Sequence, residues 1–438
     1  MRMRLSSFDG TESIVADCVA PSQHQQLAEA FCDGMPVIPR GAGLSYCAVS
    51  AGEGVRSVSS VLLNRVLNFD NINGIIDVEP GICLGNLFKF TTQRGWILPV
   101  MPGHPSITIG GCIGCNVHGK NQYREGNFIG VVDSFTLRHP DHGEIRCSRD
   151  QEATLFQLTI GGFGLTGFIT SVRLKLKPLG CPAVRLRRIT VASLAETVEI
   201  MEQYKQQAEL LYSWNNLNFH GGTFGHGFVY VGVPASSPVY EKAIFRHLKS
   251  DERSRMPLSA YSRFTTRLMF DVYSLSQHLS AEDKLIGWAR AAFPVNGSEF
   301  YFWLFGQRGF REYQLLVPHS RWAEIEEALP SLIRRRKVPI TLGSVKLFRG
   351  QSDLLHFDGT GMVLTIDVPE GDDAHKFFED LDRLTLSCGG LVNLAKDGRV
   401  GADFVSRVFP GYDRFKRELR AFDPRGRFDS SLRRRLNV

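Results

Sequence analysis

Between residues 102 and 126 the chain reads PGHPSITIGGCIGCNVHGKNQYREG, which gathers two cysteines, two histidines, a lysine and several glycines. Gly110, Gly111, Gly114 and Gly119 permit close backbone approach or positive φ that side chains would block, and the stretch is too glycine-rich for an ordinary helix. A backbone laid that openly suits a flat or charged ligand. An earlier loop of the same character, PRGAGLSY at 39–46, is expected to converge on the same ligand. Two metal readings of Cys112-Ile-Gly-Cys115-Asn-Val-His118 fail on spacing. Haem attachment needs the histidine directly after the second cysteine, and a structural zinc site needs about four ligands where no second C-x-x-C occurs. No metal is expected.

A third glycine cluster, GFGLTG at 162–167, fits the pattern G-x-G-x-x-G. A dinucleotide fingerprint of the Rossmann kind must open a helix and be followed by an acid about 20 residues on. Here residues 168–177, FITSVRLKLK, alternate apolar and polar side chains, which predicts a strand, and no acid stands at the required distance.

These loops need elements to position them. Ser22 to Gln25 reads as a capping box opening a helix on Leu27, Ala30 and Phe31, with Gly34 as its stop. Strands are predicted at 35–39, 58–63, 75–78 and 96–100, and a helix at 84–94. From about Cys181 the pattern changes to amphipathic stretches mixed with aromatic strands: a helix at 195–211, strands at 228–231, 299–305, 314–317, 361–368 and 391–394, and helices near 321–334 and 374–386. The region 248–285, with Arg253, Arg255, Arg263 and Arg267 near apolar residues, has weak periodicity. It reads as a mobile segment over a pocket mouth, a membrane-touching surface, or an ordinary loop and helix. At 438 residues the chain exceeds one ordinary core, so two domains are expected, and the net charge of +6 is too small to argue for nucleic acid. No run of about 18 apolar residues predicts a membrane span. The start lacks a secretory pattern, and nine irregularly spaced cysteines fit free thiols in a reducing compartment, so a cytoplasmic protein is expected.

Four motifs recur in order: PVIPRGAGLSY (36–46), IIDVEPGI (75–82), WILPVMPGHPSITIGG (96–111) and GGFGLTGFITSVRLKLKP (161–178). Together they resemble the FAD-binding domain of the vanillyl-alcohol oxidase (PCMH-type) superfamily. HGKN (118–121), RGFREYQLLVP (308–318), SVKLF (344–348) and LAKDGR (394–399) are similar to a narrower group, the decaprenylphosphoryl-β-D-ribose 2-oxidases. The resemblance implies an α+β, two-domain flavoprotein: an FAD-binding domain over 1–178, an antiparallel-sheet substrate domain over 179–390, and a segment 391–438 returning to the first. It implies a cofactor cradle of Arg40, Gly41, Ala42, Gly43, Leu44, Ser45 and Tyr46 from the first loop. Pro102, Gly103, Thr108, Ile109, Gly110, Gly111, Cys115, Asn116, His118 and Gly119 would come from the second, Gly164, Gly167 and Ile169 from the third, and Asn393 and Lys396 from the late segment. Successive N–H groups at 41–46 can form a nest for the FAD pyrophosphate. Many superfamily members bond flavin to a histidine two residues after the second glycine of the first loop. Ser45 stands there, so non-covalent FAD is expected, with a cysteinyl link through Cys47, Cys112 or Cys115 as the alternative.

The implied reaction is oxidation of a secondary sugar hydroxyl, with hydride passing to flavin N5 and the hydroxyl proton to a base. The matching positions assign Lys396, His118 and Lys120 to catalysis, and Tyr46, Gln314, Lys346, Val363 and Thr365 to substrate. Two departures bear on the substrate. The group carries Asn-x-Cys where this chain has Val363 and Thr365, and an aromatic residue where it has Asn393. The implied substrate is a polyprenyl-phosphate-linked pentose oxidised at C2, with a short-chain reductase completing an epimerisation in cell-envelope glycan synthesis. The alternatives are an oxidase of a soluble aldose, alditol or aldonolactone, and a flavin-free binding module. The basic runs at 334–337 and 433–435 read as solvated faces or as contacts with anionic lipid on the inner face of the membrane.

Overall fold

The alternating residues after the third glycine cluster form the strand Phe168–Lys175, with its inward side chains buried. In this computed structural model, which describes residues 1–219, 222–236, 244–245, 256–297 and 299–438, that strand is central to an antiparallel sheet. Ile75–Val78 and Val132–His139 flank it, with Val66–Asp70 and Gly143–Ser148 at the edges. A neighbouring sheet orders Arg2–Ser6, Ser13–Val19, Arg56–Ser59 and Val37–Arg40. Val37–Arg40 runs straight into the first glycine loop. Its other edge is closed by late residues: Val37 N donates to Arg427 O at 2.9 Å and Asp429 N to Val37 O at 3.0 Å.

Two more four-stranded antiparallel sheets follow. One orders Leu210–Asn215, Gly227–Ala235, Ala183–Val191 and Asp283–Gly287, the other Leu342–Phe348, Gly361–Pro369, Phe310–Val317 and Leu391–Val392. They meet edge to edge at Ser213, whose hydroxyl accepts from Val345 N at 2.8 Å and whose carbonyl accepts from Ser344 Oγ at 2.7 Å. The result is one broad wall. The helices Trp322–Arg336 and Asp372–Ser387 pack behind the second sheet, where Ile325, Leu329, Phe377 and Leu381 join Leu315, Leu364 and Ile366 in a dry core. The fold is therefore α+β, a glycine-looped part facing an antiparallel wall.

Several elements differ from expectation. Residues 299–305 are not a strand: Phe300–Trp303 is a short helix, in which Phe300 stacks on Trp303 at 5.4 Å one turn on. Here aromatic strand preference yields to packing, because Tyr301, Phe302 and Phe305 each find ring partners in different directions. The helix expected over 195–211 stops at Tyr204, and Leu210–Asn215 becomes a strand held by Gly227–Ala235. The first helix is only Gln26–Phe31 and has no side-chain cap; Gln26 Oε1 instead accepts from Ser22 N at 2.7 Å. The strands at 35–39 and 58–63 shift to Val37–Arg40 and Arg56–Ser59, and that at 96–100 shrinks to Trp96–Ile97. Of the weakly periodic 248–285, residues 248–255 lie outside those described. The remainder contains the helix Arg263–His278, capped by Ser262, and the start of Asp283–Gly287.

Candidate active site

The glycine loops and the sheet wall enclose a cavity of about 950 Å³. It lies at the upper end of small-molecule sites, which run to roughly 1,000 Å³. The loops touch one another, which is why they need glycine. A Cβ on Gly41 would collide with Thr108 Oγ1, and one on Gly164 would lie 3.2 Å from Pro39 Cδ. Phe163 N donates to Gly114 O at 2.8 Å, tying the third loop to the second. Thr108 caps the helix Ile109–Gly114, its hydroxyl accepting from Gly111 N at 3.3 Å. Gly119 is required by crowding, since a Cβ there would stand 2.7 Å from Asn121 Oδ1 and 3.0 Å from Met101 O.

Around the cavity's inner end the two parts contribute one cluster. Lys396 comes from the 394–399 segment, which Tyr46 N holds by donating to Ala395 O at 3.0 Å and Cys47 Sγ by donating to Leu394 O at 3.1 Å. Arg399, paired with Asp382 and Asp397, fixes the far side of that segment. Lys396 Nζ sits 3.3 Å from the centre of the Tyr46 ring and 3.4 Å from Glu312 Oε1. Glu312 and Asp367 are direct cross-strand partners, and both are buried. Burial, then the Glu312 charge, pushes the Asp367 carboxyl well above the usual range, while its Oδ2 accepts from Tyr301 OH at 2.9 Å.

His118 packs edge-on against Phe348 at 4.8 Å, with Nδ1 3.2 Å from Gly119 O and Nε2 3.4 Å from Gln314 Oε1. Burial and, secondly, Lys346 push its pKa down to about 3, so the ring is neutral. Gln314 is held from two sides: Asn393 Nδ2 donates to its Oε1 at 2.5 Å, and its Nε2 donates to Thr365 Oγ1 at 3.1 Å. Lys120 Nζ donates to Ala292 O at 3.1 Å and lies 5.7 Å from the Tyr212 ring. Burial, with Lys346 nearby, lowers its pKa to about 7; burial, with Lys396 opposing and Glu312 favouring the charge, leaves Lys346 at about 8.

Of the residues assigned from sequence to cofactor, substrate or catalysis, all but two line this cavity, while Cys47 and Cys112, the alternative flavin links, are buried away from it. Ile109 is fully buried in the core beneath the second loop, and Val363 is fully buried in the core of the wall, where it pairs in register with Lys346. Sequence reasoning missed Glu312, Asp367, Tyr301, Tyr212, Tyr230 and Arg188, which also face the cavity. The alternation of FREYQLLV puts Glu312 on the face of Gln314, a signal that could have found it.

The cradle fits a dinucleotide flavin. The N–H groups of Gly41 to Ser45 donate to no acceptor among the described residues, although backbone donors facing a site this enclosed are expected to be paired. Asn116 Nδ2 faces the same space, buried and without a partner, beside a backbone held at φ +40°. Residues 16–148 match the family model described as FAD binding domain. The chain is 28% identical to decaprenylphosphoryl-β-D-ribose oxidase of Mycolicibacterium smegmatis over 99% of its own length and 97% of that protein's. It is 27% identical to an uncharacterized protein of Streptomyces coelicolor over 82% of this chain and all of the other. A D-lactate dehydrogenase of Anaerostipes hadrus is 30% identical over 33% of this chain and 32% of its own. Cradle, cavity and likenesses agree, and the chain is an FAD-dependent oxidoreductase with an FAD binding domain at residues 16–148.

Proposed function

We propose that the substrate is a pentose carried on a polyprenyl phosphate, oxidised at its C2 hydroxyl to a keto sugar that a short-chain reductase then completes as an epimer. One observation carries the lipid-linked reading beyond the likeness to decaprenylphosphoryl-β-D-ribose oxidase. The helix Arg263–His278 turns Thr266, Phe270, Tyr273 and Gln277 to the cavity, yet exposes Phe264, Leu268, Val272 and Leu275, each by more than half, on its outer face. Leu279 continues that stripe, and Arg263 and Arg267 flank it. An apolar stripe rimmed by arginines, at the rim of a sugar-sized site, fits contact with an anionic bilayer from which the prenyl chain enters. Among the described residues no helix is long and apolar enough to cross a membrane, so the contact would be peripheral.

FAD, held without a covalent bond by the 41–46, 102–119 and 162–169 loops, would supply the hydride acceptor. Ser45 occupies the position of the histidyl link, and burial pushes the cavity-facing Cys115 thiol up to about 11, far from a thiolate at neutral pH. The chain's own work is to bind, orient and move a proton. Gln314, braced by Asn393 and Thr365, orients the sugar hydroxyls. Lys120 and Lys346, held near their neutral forms, are matched to accept the hydroxyl proton near neutral pH. Lys396 directs its ammonium to the reacting oxygen.

The test is anaerobic bleaching of the flavin by farnesylphosphoryl-β-D-ribose against ribose 5-phosphate, free aldoses, alditols and aldonolactones. Bleaching by the lipid-linked sugar alone supports the reading; bleaching by free sugars alone replaces it with the second reading, a soluble-sugar oxidase. That second reading has its own observation, since the departing residues Thr365 and Asn393 both bond to Gln314 and so reset the sugar-facing amide. Acid precipitation is expected to release all flavin into the supernatant.

A further inference from the structure

We propose that Glu312 and Asp367 form a dyad holding one proton between them, and that its single negative charge is the counter-ion of the Lys396 ammonium. Register places the two acids directly opposite each other on the neighbouring strands Phe310–Val317 and Gly361–Pro369, with 6% and 1% of their surface exposed. Directly opposed residues have Cβ atoms roughly 4.5–5.5 Å apart, so two carboxylates there would repel strongly in a site closed to water. Asp367 Oδ1 is buried and without a hydrogen bond, and Glu312 Oε1, likewise buried and without one, has the Lys396 ammonium 3.4 Å away. A proton on one carboxyl oxygen, donated to the other acid, satisfies both and removes one charge.

The surroundings select a net charge of one. Lys396 Nζ faces Glu312 at 3.4 Å, and Lys346 lies close enough for the Glu312 charge to act on it. Tyr301 donates to Asp367 Oδ2 from the other side while bonded to Thr341 Oγ1 at 2.7 Å, and Tyr261 stands behind Tyr301. Lys396 and Lys346 are thus the cations facing the acids, and the tyrosines offer neutral donors. Two full carboxylates would hold Lys346 as an ammonium as well as Lys396. A single shared charge leaves that lysine at its lowered value and serves Lys396 alone. The dyad is a positioning element, since it acts on the reaction through Lys396. The second half of the proposal rests on the reading of Lys396 as the group that meets the reacting hydroxyl; the first half does not.

The experiment has two arms, both on holoenzyme. At pH 8 Asp9 and Asp358, which burial raises to about 6, are ionised. Asp382 and Glu326, whose carboxyls burial also raises, are replaced (Asp382→Asn, Glu326→Gln) in the background of every protein compared. Infrared spectroscopy should then show a protonated-carboxyl stretch, sensitive to deuterium exchange, in the parent that keeps both acids. That band should vanish in both Glu312→Gln and Asp367→Asn, because each leaves a single acid that ionises against Lys396. A parent without the band, or a band that survives in both variants, overturns the dyad. In the second arm the pH profile of flavin bleaching is followed. Each single variant keeps one negative charge and should keep the wild-type alkaline limb. The double variant loses the charge, and its limb should move down by about one pH unit or more. An unmoved limb in the double variant overturns the counter-ion role while the infrared result stands. If no sugar bleaches the flavin, the substrate reading fails and the infrared arm still decides the dyad.

Discussion

Gly41→Ala probes the junction on which the cofactor cradle depends. The backbone at Gly41 needs no left-handed conformation, so the whole effect comes from the new methyl. It would collide with Thr108 Oγ1 while standing 3.4 Å and 3.6 Å from that residue's Cβ and Cγ2. Thr108 can escape by rotating χ1, which gives up its cap on the helix Ile109–Gly114, or the loops can part. Losing an N-cap costs about 1 kcal/mol, and overpacking adds about another 1 kcal/mol. Gly41→Ala is therefore expected to destabilise the apoprotein by about 2 kcal/mol. If half of that strain persists against bound cofactor, FAD affinity falls roughly fivefold, at about 1.4 kcal/mol per factor of ten. Thr108→Ala alone costs the cap, about 1 kcal/mol. In the double variant the nearest atom is the Cβ at position 108, 3.4 Å away and an ordinary contact, so it should be no less stable than Thr108→Ala. Urea denaturation and FAD fluorescence titration of the four proteins give the cycle. Additive effects, with Gly41→Ala costing as much in the Thr108→Ala background as in the wild type, would refute the convergence argument.

Lys120→Met should stabilise the protein near pH 7 and lose that advantage as pH rises. The Lys120 pKa is about 7 folded and 10.5 unfolded, so across that window the unfolded chain binds more protons and wild-type stability climbs with pH. Denaturant midpoints from pH 6 to 10 read this directly. Arg399→Ala leaves the buried Asp397 and the half-buried Asp382 without their cation, and an apparent loss of about 3 kcal/mol is expected, with flavin released as the 394–399 segment loosens. Leu268→Ser with Leu275→Ser should abolish co-sedimentation with anionic vesicles while leaving flavin content unchanged, since both side chains point to solvent. Vesicle binding equal to wild type would exclude that face as the contact.

What the sequence made legible, and what it hid, follows from the range of the interactions involved. The strands Ile75–Val78 and Phe168–Lys175 and the glycine loops were readable because alternation and glycine act within a few residues. The cluster of Lys396, Lys346, His118, Lys120 and Gln314 came from motif resemblance, and the cavity does bring these residues together. Glu312 and Asp367 were hidden because alternation says which residues share a face, not which strand lies alongside; only the register pairs them. The helix Arg263–His278 looked aperiodic because it is apolar on two faces, Phe270 inward and Phe264 and Leu268 outward. For 299–305 the rings gave a strand signal that their scattered partners overruled.

The strand leading into the first glycine loop completes its edge with residues 427–429, nearly four hundred positions later in the chain. This makes cofactor loading a late event in the life of each molecule. During synthesis Val37–Arg40 emerges early, but the partners of Val37 follow only after both sheets of the wall have been made. So wide a loop is slow to close. Flavin therefore has little to hold until those residues emerge, and the growing polypeptide must keep an unpaired strand edge from other chains until they arrive.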